Sequence, residues 1–210
     1  MILSAISVLV IITAILHIIA DYKKQRYQTY IFKPLTIGLI ILIAFIQPAE
    51  VSPAYRYLII AGLFFAFIGD IFLMLPSDRF LFGLSSFFVT HVFYIVAFLS
   101  DSSFPVSYIY LIPGLILSVV FLKILLPHAR LKTVPVIIYS MILVFLLWQA
   151  TGRMEEMFTH SSIIALIGTL LFVFSDVVLA YNRFVRKFRS AQLIILSTYY
   201  TAQLLIAYSV

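Results

Sequence analysis

Ile59-Ile60-Ala61-Gly62-Leu63-Phe64-Phe65-Ala66-Phe67-Ile68-Gly69-Asp70-Ile71-Phe72-Leu73-Met74 is apolar or small at every position except Asp70. A helix at a protein–water boundary keeps charged residues along one side. This run has no such side, and it fits a helix enclosed by lipid or by other helices. Crossing a hydrocarbon layer of ~30 Å takes roughly 20 apolar residues.

The rest of the chain is built the same way: of 210 residues 64% are hydrophobic and 10% charged, and mean hydropathy is +1.16. That balance leaves too little polar surface for a soluble domain. Apolar runs between charged or Pro/Gly/Ser-containing breaks predict helices at 2–20, 34–48, 54–75, 80–100, 105–126, 132–150, 160–181 and 190–209. The expected fold is all-α, a polytopic transmembrane bundle of about eight helices forming a single integral-membrane domain over 1–210 in the cell membrane. The first run lacks a basic leader and a small-residue cleavage site, and reads as a retained helix, not a signal peptide.

Basic residues set the expected orientation. Lys23, Lys24, Arg26, Lys33, Arg79, Lys123, Arg130, Lys132, Arg183, Arg186, Lys187 and Arg189 fall at one end of these helices. Arg56 and Arg153 fall at the other, with Glu50, Asp101, Glu155 and Glu156. Short loops rich in Lys and Arg stay in the cytoplasm, which places both termini outside it. The net charge of +6 has this origin and argues for no nucleic-acid partner. The absence of cysteine excludes disulfides, thiolate catalysis and cysteine-ligated metal.

The stretch Phe65-Ala66-Phe67-Ile68-Gly69-Asp70-Ile71-Phe72-Leu73 can be laid on Leu171-Phe172-Val173-Phe174-Ser175-Asp176-Val177-Val178-Leu179, so that a small residue followed by Asp recurs. In the same frame Lys33-Pro34 opens the second helix, and Lys132 and Pro135 open the sixth. This pattern predicts a 4+4 parallel repeat, a plan found in membrane proteins with central sites.

A carboxylate inside a spanning helix costs roughly 2.5–3.5 kcal/mol on insertion scales, so Asp70 and Asp176 are the leading candidates for chemistry. Each lies about five residues before the cytoplasmic end of its helix, roughly 7–8 Å deep, and the two could face one pocket. Paired carboxyls can divide the labour, one protonated and the other ionised. Alternatively, each hydrogen-bonds a neighbouring helix without chemistry. Gly62, Ala66 and Gly69 mark a face for close helix packing, and Gly168 and Ser175 mark another.

In the fourth helix Gly83, Ser86, Phe87, Thr90, His91 and Tyr94 share one arc that lipid would not accept. In the eighth, Gln192, Tyr199 and Gln203 lie along one face, with Thr198 and Tyr200 beside them. Both sets suit either interhelical hydrogen bonds or substrate contact. Lys33, Asn182 and Arg183 fall at the basic rim, where they could hold a phosphate. Asp70, Asp176 and His91 are a conceivable metal set, but no H-E-x-x-H run, phosphate-cradling glycine loop, nucleophile elbow or dinucleotide fingerprint is present. No cofactor is implied.

Lys33-Pro34-Leu35, Ile68-Gly69-Asp70-Ile71-Phe72-Leu73-Met74, Phe87 to Tyr94 with His91, Phe174-Ser175-Asp176 and Tyr199-Tyr200-Thr201-Ala202-Gln203, in that order, resemble the YhhN-type lysoplasmalogenases. The resemblance covers nearly the whole chain. It implies hydrolysis of the vinyl ether of a lysophospholipid, the lysoplasmalogen, to a fatty aldehyde and glycerophosphoethanolamine or glycerophosphocholine. Such a reaction needs a general acid, an anion near the oxocarbenium ion and a base for water, and two carboxylates suit these needs. On this reading Asp70 and Asp176 share the acid and stabiliser/base roles. His91, Tyr94, Tyr199, Tyr200 and Gln203 position water or the glycerol backbone, while Lys33, Asn182 and Arg183 hold the phosphate. The competing class is a proton- or cation-coupled transporter using the same aspartates as a relay; a third reading is a non-catalytic lipid-binding protein.

Overall fold

The computed structural model describes residues 2–48, 51–104 and 108–210. Glu50 and the 105–107 start of the fifth expected helix lie outside them.

The described chain forms eight α-helices: α1 Ile2–Tyr22, α2 Arg26–Ile46, α3 Pro53–Met74, α4 Phe80–Asp101, α5 Leu111–Ala129, α6 Thr133–Met157, α7 His160–Ala180 and α8 Ala191–Tyr208. Seven are long and apolar enough to cross a membrane, and the protein is a multi-pass integral membrane protein. α8 falls outside that group because Gln192, Thr198, Tyr199, Tyr200 and Gln203 dilute its hydropathy. Tyr199, Tyr200 and Gln203 are buried, with α8 packed against α7, α2, α1 and α3. A helix enclosed by others needs no apolar coat all round.

The packing follows the small residues. A Cβ at Gly62 would overlap the Tyr94 ring and lie 3.3 Å from the Thr90 carbonyl oxygen; one at Gly168 would lie 3.0 Å from that of Ala202. Glycine at these two positions lets α3 approach α4, and α7 approach α8, backbone to backbone. α1 pairs with α2 and α5 with α6; across the bundle α4 meets α6, and α8 meets α2. At the acidic end Arg153, 1% exposed, donates to Asp101 Oδ2 at 2.7 Å and Ser161 Oγ at 2.9 Å while lying over the Tyr55 ring. That paired charge lets α6 run on to Met157, beyond the 150 expected.

The difference with the greatest consequence is in α2. Pro34 reads as a helix start, giving 34–48, but the helix begins at Arg26 and carries Pro34 inside. A spanning helix tolerates this because neighbouring groups satisfy the carbonyl that proline leaves free. Lys33 is therefore not a rim residue: it lies two turns into the helix and is buried. α7 ends in a π-helical turn, Tyr181–Val185, which carries Asn182 and Arg183 around the basic end.

Candidate functional site

A cavity of ≈ 590 Å³ opens at the basic end of the bundle, and α1, α2, α3, α7 and α8 all contribute to its wall. Asp70 and Asp176 both line it, as expected from their equal depth. Their surroundings differ. Asp70 Oδ1 is 3.0 Å from Lys33 Nζ, and its Oδ2 accepts from the Tyr199 hydroxyl at 2.8 Å. Asp70 thus has a cation and a hydroxyl donor, the partners that stabilise an ionised carboxylate.

Asp176 Oδ2 accepts from the Tyr139 hydroxyl at 2.7 Å and lies 3.6 Å from His91 Nε2. No Lys or Arg pairs with it among the described residues. His91 lies about eleven residues in from the basic end of its helix, against about five for the aspartates, a spacing that predicts different depths. It reaches Asp176 nonetheless, wedged against the Phe172 and Tyr139 rings at 4.7 and 5.4 Å between centroids.

Of the residues singled out from sequence, Lys33, Asp70, Asp176, Asn182, Arg183 and Tyr199 line the cavity. Four others do not: His91, fully buried behind Asp176, and Tyr94, Gln203 and Tyr200. Tyr94 donates to Gln203 Oε1 at 2.6 Å, both fully buried, so this pair ties α4 to α8 away from the cavity. Tyr200 OH meets His17 Nδ1 at 2.7 Å. At the rim Arg183 donates to Asp78 Oδ2 at 2.6 Å and lies over the Phe80 ring, and Asn182 Oδ1 accepts from the Phe188 amide. With Lys33 paired to Asp70 and Arg183 to Asp78, Lys24, Arg26 and Lys187 are the cations lining the opening that form no ion pair among the described residues. At Asp78, slight desolvation raises the carboxyl, but the Phe80 amide and the Arg183 and Lys132 charges outweigh it and hold it below its ordinary range.

Tyr139 and His17 are site residues that sequence reasoning missed. A tyrosine in an apolar helix reads as packing, but one signal existed: Tyr139 precedes Asp176 by 37 residues, the interval between Lys33 and Asp70. His17 offered no spacing to a partner; it lines the cavity from α1. Among the described residues no group of three or more His, Asp or Glu side chains converges as metal ligands would.

A second, apolar groove of ≈ 480 Å³ runs between α5, α6 and α7, and it shares Leu73, Phe80, Phe87, Asp176 and Leu179 with the polar cavity. A charged chamber and an apolar groove thus meet at a buried carboxyl inside a multi-pass membrane protein. Residues 28–210 match the YhhN family, and the chain belongs to that family. It is 34% identical over 179 residues to the rat lysoplasmalogenase TMEM86B, covering 81% of this chain and 69% of that protein. The human lysoplasmalogenase TMEM86B is 32% identical over 179 residues, 82% and 72% of the two chains. The uncharacterized membrane protein YhhN of Escherichia coli O6:H1 is 27% identical over 202 residues, 95% of each. No solved structure matches. His17 lies ahead of the matched segment.

Proposed function

We propose that this protein is a lysoplasmalogenase of the cell membrane, hydrolysing the vinyl ether bond of lysoplasmalogen by carboxylate acid–base chemistry. The observation that carries the reading is the placement of Asp176 at the junction of the two compartments. A lysoplasmalogen has its reactive bond where polar glycerophosphate meets hydrocarbon. Two relatives that bear the name lysoplasmalogenase support the same reading.

Asp176, with no cationic partner, is the proton donor. Its proton goes to the vinyl carbon distal to the ether oxygen, and the other vinyl carbon becomes an oxocarbenium ion. Asp70, kept ionised by Lys33 and Tyr199, supplies the negative charge facing that cation. Water adds to the cationic carbon and returns a proton to Asp176. The hemiacetal then passes its hydroxyl proton to the leaving oxygen and splits into aldehyde and glycerophospho-alcohol. Tyr139 and His91 hold the Asp176 carboxyl, and Lys24, Arg26 and Lys187 take the phosphate with Asn182 and Arg183.

A 4+4 repeat fits this division, with Asp70 and Asp176 as counterparts: α2 and α8 supply Lys33 and Tyr199, while α6 and α4 supply Tyr139 and His91. Twofold descent with divergent partners yields one acid and one stabiliser.

The test is aldehyde release by the detergent-purified chain from lysoplasmalogen, with the acyl lysophospholipid as control and a chelator arm. Turnover of the vinyl ether alone, unchanged by chelator, is expected. No turnover by folded protein, with proton-coupled uptake into liposomes, would replace this reading by the transporter.

A further inference from the structure

We propose that the apolar groove between α5, α6 and α7 seats the substrate's single hydrocarbon chain, and that Gly114, Val144 and Leu147 at its far end set the longest chain admitted. The inference rests on the lysolipid reading above and adds its chain specificity.

The groove, at ≈ 480 Å³, falls within the ~300–1,000 Å³ of small-molecule sites. Its lining is aliphatic and aromatic apart from Asp176 and Tyr139 at one end and two serines. Ser140 gives its hydroxyl to the Val136 carbonyl at 2.9 Å. A ligand that leaves the polar cavity past Asp176 thus enters surface suited to hydrocarbon alone. Along α6 the lining runs from Val136 to Leu147, about 16 Å at 1.5 Å per residue.

The far end narrows where α5 nears α6: a Cβ on Gly114 would stand 3.3 Å from Val144 Cγ1. Among the described residues of α5 the buried ones are Leu125 and Ala129 near its last turns, packed with Val136 and Phe184. Its first half exposes Ile112, Leu115, Ile116 and Val119. The alternative occupant is any bulk lipid chain, which would leave the protein indifferent to chain length.

Two readouts on the purified chain separate this proposal from the reaction assigned above. The first is kcat/KM over lysoplasmalogens of increasing chain length. In Val144→Phe and Leu147→Phe the ratio of kcat/KM on the longest chain to that on the shortest is expected to fall about tenfold or more relative to wild type, roughly 1.4 kcal/mol. Leu147→Ala is expected to move the optimum to longer chains. An unaltered length profile in all three variants overturns the proposal.

The second readout needs no turnover. Trp148, the chain's single tryptophan, follows Leu147 in α6. Alkyl-ether lysophospholipids brominated near the chain end are expected to quench its fluorescence more than those brominated near the headgroup, and Val144→Phe to remove the difference. Position-dependent quenching without vinyl ether turnover would keep the groove and discard the reaction. Turnover with position-independent quenching in every variant would do the reverse.

Discussion

Asp70 and Asp176 follow a small residue in similar apolar helices, line one cavity, and are both buried, yet one is paired with a lysine and the other meets no Lys or Arg among the described residues. A lysine one helix away converts the first into half of a neutral pair. A tyrosine at the equivalent interval leaves the second with a hydrogen bond and no counter-charge. Similar local sequence thus yields two carboxyls of different chemical character, and the difference is set by what the neighbouring helices present.

The largest effect is expected from Asp176→Asn, which removes the proton donor without leaving a charge unpaired. Turnover should fall about 10²–10⁴-fold, the usual contribution of a general acid, with an unchanged melting temperature. Retained activity would end the asymmetry between the sites. Asp70→Asn and Lys33→Met should each strand a buried charge and destabilise the bundle by about 3–5 kcal/mol, seen as early thermal unfolding in detergent. The double variant should regain much of that stability while staying inactive. If the single variants melted like wild type, the pair would be weaker than its burial indicates.

Tyr199→Phe deletes a hydrogen bond to an ionised carboxylate, worth about 1.5–3 kcal/mol, and Tyr139→Phe one to a protonated carboxyl, worth about 0.5–1.5 kcal/mol. Turnover should suffer more from Tyr139→Phe, because Asp70 keeps Lys33 when Tyr199 is lost. The smallest effect is expected at the rim, where Asp78→Asn breaks an exposed contact worth at most about 1 kcal/mol and should alter KM, not kcat. Because the Asp78 carboxyl titrates below its ordinary range, the contact's contribution is complete above the unfolded value of about 3.9 and is lost only as pH falls through the lower folded value. KM measured from neutral pH down to about 5 should therefore show no change from this contact.

The aspartates and the buried stripe of α4 were legible because a polar group in an apolar run must face the interior of the bundle and find a partner there. Gly83, Ser86, Phe87, Thr90, His91 and Tyr94 all prove buried. Lys33 was legible as a residue but not as a partner. Pro34 reads as a helix boundary, and only tertiary packing reveals that the helix starts two turns earlier. Tyr94, Gln203 and Tyr200 show the opposite limit, since sequence identifies a polar group in the membrane but not whether another protein group already holds it. The apolar groove had no signature at all. Its walls come from five helices, α3 to α7, each hydrophobic for the same reason as any spanning segment.

The central claim, protonation of a vinyl ether carbon by Asp176, is tested most directly by running the hydrolysis in heavy water and analysing the released aldehyde by mass spectrometry before exchange. Carbon protonation predicts one deuterium on the carbon next to the carbonyl, a normal solvent isotope effect on turnover, and loss of both signal and product in Asp176→Asn. Aldehyde without deuterium at that carbon, or labelled aldehyde formed at the wild-type rate by Asp176→Asn, would contradict it.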